Sequence, residues 1–141
     1  MGFKPVYPFL VLILLTACSS NLFENNQDNV SPQVADTAPI IANVKTNFPQ
    51  KNGWYVIPKN SNELDVSLEA TNVETILFWV VPTGTDAWGE RELIGYDINE
   101  EDGWNLVWNI SERSLHHRIA IQALGSNGKT IANETILITN E

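Results

Sequence analysis

The sequence is 141 residues long and carries 8 Lys and Arg against 17 Asp and Glu, a formal charge of −9. A field of that sign repels phosphate backbones and anionic head groups, and no Lys/Arg cluster interrupts it, so nucleic-acid binding and a polybasic membrane contact both lack their footprint. The length suits one compact domain plus a tail, 43% hydrophobic residues with five tryptophans supply a core, and a lone cysteine leaves no disulfide to staple it.

Lys4 gives a thin positive start, and Val6 to Leu15 is an apolar run interrupted only by Pro8. The run is too short for a transmembrane helix, which needs about 20 apolar residues. It closes on Leu15-Thr16-Ala17-Cys18: a Leu three places before the cysteine, small residues at the next two, then Cys. An ordinary secretory signal would need no cysteine at that place. The stretch resembles the lipobox of bacterial lipoproteins, and the resemblance implies several things at once. Residues 1–17 are a signal peptide whose peptidase reads Leu15, Thr16 and Ala17. Cys18 becomes the new N-terminus and carries a diacylglycerol thioether, with an N-acyl chain such as palmitate in those lipoproteins that add one. The lipid bilayer is then a partner through acylated Cys18. The domain works outside the cytoplasm, anchored to the cell membrane or to an outer membrane where the cell has one. Two or three acyl chains anchor stably, since each buried CH₂ contributes about 0.8 kcal/mol and one chain alone is marginal. Loss of Lys4 with the signal takes the charge from −9 to −10.

Residues 19–38 are polar, Asn-rich and aperiodic, the composition of a disordered tether. Such a tether has a root-mean-square span of roughly 25 Å and a full reach of about 65 Å, enough to lift a small domain off a lipid surface.

From Pro39 to Glu141 short β-branched and aromatic runs alternate with Asn, Gly, Pro and Asp clusters, which predicts an all-β domain. Expected strands are Ile40 to Lys45, then Trp54 to Ile57 after an irregular turn over residues 47–53. In Leu64-Asp65-Val66-Ser67-Leu68-Glu69-Ala70 every second residue is apolar, so Leu64, Val66, Leu68 and Ala70 share a buried face. Thr75 to Val81 is apolar on both faces, as in a central strand covered from outside. Arg91 to Ile98 follows, and then Trp104 to Ile110, which puts Trp104, Leu106, Trp108 and Ile110 on one face. His117 to Leu124 turns through Gly125-Ser126-Asn127-Gly128 into Thr130 to Thr139, with Asn127-Gly128 as the hairpin signal. Seven to eight short strands without a helix-period window argue for a β-sandwich.

The order "L-x-V-x-L-x-A", "I-x-F-x-V", "L-I-G", "W-N-I", "I-A-I-Q-A" and "S-N-G" from Leu64 onward is similar to that of bacterial immunoglobulin-like domains appended to surface proteins and glycoside hydrolases. The resemblance implies a fold and no activity. Its positions transfer as core: Leu64, Val66, Leu68, Ile76, Phe78, Val80, Trp108, Ile119, Ile121 and Ala123. Leu124-Gly125-Ser126 replaces the Asp that family often carries near the penultimate strand's end, so no loop contact transfers.

Chemistry finds little purchase. Ala123 to Thr130 fits a relaxed phosphate loop, but such loops run into a helix and this one precedes a Thr/Ile-rich strand. Asp97 to Gly103 opens like a calcium loop, yet its glycine comes one place late and Trp108 stands where a bidentate Glu should close it. His116 and His117 are adjacent on a strand, so they point to opposite faces. No metal site, no cofactor and no catalytic residue are expected, and the chain reads as a non-enzyme. Trp88, in a polar loop, is either a lid over the sandwich edge or a contact for a sugar ring or a partner protein, and Trp54 and Tyr55 share that ambiguity, one of them having to face outward. The leading expectation is an interaction module for a cell-envelope protein. The alternative is a carbohydrate- or wall-polymer-binding lipoprotein that stacks a glycan on these aromatics.

Overall fold

The computed structural model describes residues 1–2, 38–84 and 87–141, apart from the Trp88 side chain. The expected attachment signal Leu15-Thr16-Ala17-Cys18, and the expected tether as far as residue 37, lie outside the described residues. Nine strands form among those described: β1 (Ile40–Thr46), β2 (Gln50–Lys51), β3 (Trp54–Ile57), β4 (Glu63–Thr71), β5 (Thr75–Pro82), β6 (Glu92–Asp97), β7 (Trp104–Asn109), β8 (His116–Leu124) and β9 (Ile131–Asn140). Two single-turn 3₁₀ segments, Trp88–Glu90 and Glu100–Asp102, flank β6.

The strands build two sheets, one in the order β1-β4-β7 and the other β2-β3-β9-β8-β5-β6. All pairings are antiparallel except β3 with β9. The N-terminal edge is thus split: β1 pairs with β4 in one sheet, and β3 crosses to lie parallel to the last strand in the other. The architecture is an immunoglobulin-like β-sandwich. The eight longer strands match the expected ones. The ninth, β2, lies inside the segment expected to be an irregular turn, because Asn52 (φ +51°) and Gly53 (φ +84°) form the two-residue left-handed turn that joins β2 to β3. The Asn127-Gly128 pair instead sits in a wider loop, where Asn127 Oδ1 accepts from the backbone N–H groups of Lys129 and Thr130, both at 2.9 Å.

Alternation places the core. Leu64, Val66 and Leu68 of β4 stand opposite Trp108, Leu106 and Trp104 of β7, and all six are buried. They pack against Ile76, Phe78 and Val80 of β5, Ile119, Ile121 and Ala123 of β8 and Ile136 and Ile138 of β9. Every core position taken from the family resemblance is buried. Ala70, at the end of its strand, is only half-buried. The expected double burial of β5 holds at Val81 and weakens at Leu77 and Trp79, which are half-buried on the outer face. Gly95 of β6 faces inward, where a Cβ would collide with Leu106 Cδ1, so the absent side chain lets β6 approach β7 across the sandwich.

Candidate functional site

The aromatic pair on β3 divides as strand periodicity requires. Tyr55 turns inward against the core, and its hydroxyl donates to the Val44 carbonyl at 3.2 Å, tying β3 to β1 across the two sheets. Trp54 turns outward, half-buried, with its ring stacked on His116 at 4.7 Å between centroids and 11° between planes. One face of that indole is therefore already occupied. Trp88 opens the 3₁₀ turn Trp88–Glu90.

His116 and His117 point to opposite faces, and the inward one meets a pocket at the open end of the sandwich. This cavity of about 220 Å³ has an apolar floor of Val80, Trp108 and Leu115 and a polar rim of Glu92, Arg113 and His117. Arg113 lies 3.6 Å from Glu92, and its guanidinium carbon is 5.2 Å from the Trp108 ring centre. The backbone N–H of His116 donates to His117 Nδ1 at 3.0 Å, which holds that nitrogen as an acceptor and leaves the ring proton on Nε2. Burial, with the neighbouring charges of His116 and Arg113, pushes the His117 pKa below the usual 6.5, against a smaller opposing pull from Glu92. The pocket draws its wall from five separate segments, and no spacing in the sequence marks it.

The acidic turn between β6 and β7 uses its own carboxylate. Asp97 accepts from the backbone N–H of Asn99 at 2.9 Å and of Asn105 at 2.8 Å, so both oxygens shape the loop. Among the described residues no group of three or more His, Cys, Asp or Glu is placed to hold a metal ion. The glycine-bearing loop at 125–130 leads into β9 and not into a helix, which leaves the phosphate-loop pattern without its anion-binding helix end. No helix among the described residues is long and apolar enough to cross a membrane.

A further feature escaped the sequence reading. Edge strand β6 exposes Leu93 (45%) and Tyr96 (64%) on the outer face of the six-stranded sheet, and Ile98 (67%) extends the row just beyond it. Leu93 stands opposite Trp79 and Tyr96 opposite Leu77 on β5, both half-buried, so the apolar surface continues across two strands. The β-bulge at Ile94 hides this in the sequence, because it breaks the alternation between Leu93 and Tyr96.

No family model matches the sequence, and comparison with curated proteins finds no match. Among solved structures, 68% of this chain is similar to part of a polysaccharide deacetylase from Bacillus cereus, with a TM-score of 0.51 and 15% identity. The chain spans only 29% of that protein. A chain from a structure describing T cell specificity and activation by the bacterial superantigen toxic shock syndrome toxin-1 is covered completely by 74% of this one, with a TM-score of 0.50 and 8% identity. Fibronectin(III)-like modules of CbhA from Clostridium thermocellum align over 70% of this chain and 95% of theirs, with a TM-score of 0.49 and 18% identity. At such identities the first two likenesses concern the fold alone, which agrees with the strand order described above.

Proposed function

We propose that this chain is a surface-anchored, non-enzymatic lipoprotein whose immunoglobulin-like domain is an interaction module for a protein of the cell envelope. The observation that supports it is the apolar row Leu93, Tyr96 and Ile98 along an edge strand, continued by Leu77 and Trp79. A contiguous apolar patch on an otherwise acidic domain is the surface a protein partner covers. The anchor half of the proposal rests on Leu15-Thr16-Ala17-Cys18.

Two measurements test the two halves. Cys18→Ala should move the protein from the membrane to the soluble extracytoplasmic fraction, and continued membrane retention would remove the anchor. Cross-linking in intact envelope should join the wild-type chain to a specific protein, and the double substitution Leu93→Lys with Tyr96→Lys should abolish that product while leaving the domain folded. An unchanged product would remove the β6 patch from the interface.

The carbohydrate reading has one observation on its side: Tyr96 is an exposed ring in the same cross-strand row as the amide of Gln122. Glycan-array binding that is lost on Tyr96→Ala or Trp88→Ala, at unchanged thermal stability, would favour it over a protein partner.

A further inference from the structure

Each sheet of the sandwich has two edges, and three of the four carry a device that discourages pairing with another chain. Strand β1 is bulged between Ala42 and Lys45, with Asn43 at φ +50°. Strand β2 is two residues long and includes Lys51. Strand β6 is bulged at Ile94 and ends in Glu92 and Asp97. Strand β7 has none of these. It pairs with β4 without a register shift, alternates buried and exposed without a break, and contains no Lys, no Pro and no charged residue in Trp-Asn-Leu-Val-Trp-Asn. Val107, at the centre of its outward row, is 61% exposed.

The direction of its backbone groups follows from two hydrogen bonds. The Ile110 N–H bonds toward the β4 side, to the Asn62 carbonyl at 2.8 Å, while the Asn105 N–H bonds away from β4, to Asp97 at 2.8 Å. Since N–H and C=O of one strand residue share a direction that reverses at the next residue, Asn105, Val107 and Asn109 direct theirs to the open edge. Asp97 occupies the Asn105 N–H, and among the described residues nothing bonds the remaining outward groups.

We infer that β7 is a self-association edge, on which a second copy of this chain adds its own β7 antiparallel about a two-fold axis at Val107. The pattern Asn105-Leu106-Val107-Trp108-Asn109 reads alike in both directions: polar, apolar, Val, apolar, polar. In this register Val107 meets the second copy's Val107 and exchanges two backbone bonds with it. Each Asn109 N–H reaches the other copy's Asn105 carbonyl, and each Asn105 side-chain amide lies beside an Asn109 amide. The three-stranded sheet thereby becomes a continuous six-stranded one. Pairing displaces the Asp97 carboxylate from the Asn105 N–H, which then takes up the second copy's Asn109 carbonyl, and the freed carboxylate adds to the repulsion between two acidic copies that salt screens. An isologous contact of this kind closes at two copies and leaves the β6 patch free.

The test uses the full chain, with sedimentation and amide exchange read at low and high protein concentration. A concentration-dependent dimer should form, and exchange at Val107 and Asn109 should slow by about tenfold at high concentration while other edge amides do not change. Added salt should strengthen the dimer, because both copies are acidic; a basic partner strand would respond in the opposite direction. Val107→Pro removes an outward N–H that β4 does not use and should leave the fold intact while abolishing the dimer. Val107→Lys, which keeps the N–H and adds a charge, should do the same if the proline variant unfolds. A monomer at every concentration, or a dimer that persists in both variants, overturns the inference. Neither outcome touches the β6 reading, which stands or falls with Leu93 and Tyr96.

Discussion

The backbone N–H of His116 donates to Nδ1 of the adjacent His117, so one histidine supports the neutral form of the next. That bond survives only while Nδ1 is unprotonated, in agreement with the lowered pKa of His117, whose first cause is burial. The folded protein therefore binds a proton at His117 less readily than the unfolded chain. The resulting stability is fully present above pH 6.5 and is lost as the pH falls from there through the folded-state value. Thermal unfolding followed from pH 7.5 to pH 4.5 should show a decline that His117→Gln reduces. An identical pH profile in the variant would refute this role.

Gly95 and Leu106 set the distance between β6 and β7. Gly95→Ala should destabilise the domain by about 1–3 kcal/mol, because the added methyl meets Leu106 Cδ1 and the two strands must separate. Leu106→Val in the same background should recover part of that loss, which a double-mutant cycle of unfolding free energies measures.

Asp97 is a loop brace. Asp97→Ala removes two acceptors from the backbone groups of Asn99 and Asn105 and should cost about 1–2 kcal/mol, with faster amide exchange at both residues. Added calcium should leave the melting temperature of the wild type unchanged, since the carboxylate is already engaged. A clear calcium-dependent rise would return the loop to the metal-binding class.

Glu112 holds a left-handed backbone at φ +62° without the glycine or asparagine that such a position favours. Glu112→Gly relieves the Cβ strain, and part of the gain is offset by a more flexible unfolded chain. The net expectation is a stabilisation of about 0.5 kcal/mol, seen as a melting temperature raised by ~2–4 °C.

The strands were legible because each has a wet and a dry face, and the core of β4, β7 and β8 was readable residue by residue from that alternation. Two segments were not legible, for separate reasons. The hairpin at Asn52-Gly53 was masked by the neighbouring Phe48-Pro49, whose irregular look hid a two-residue strand. The β6 patch was masked by the bulge at Ile94, which shifts the period by one and makes Leu93 and Tyr96 share a face that a strict alternation would deny them. Of the three aromatic candidates, the sequence required one of Trp54 and Tyr55 to face outward, and only packing decided that Tyr55 braces β1.

The sequence by itself carries the short contiguous pattern Leu15-Thr16-Ala17-Cys18, on which the proposed anchor rests, and it determined the all-β class, which depends on a period-two repeat along each strand. Tertiary structure decided everything that depends on strands far apart in the chain. It placed His117, Glu92 and Arg113 around one pocket, stacked Trp54 on His116, and left β6 and β7 as edges. Which strands become edges is a property of sheet order, and sheet order is set by packing between segments that carry no mark of their neighbours.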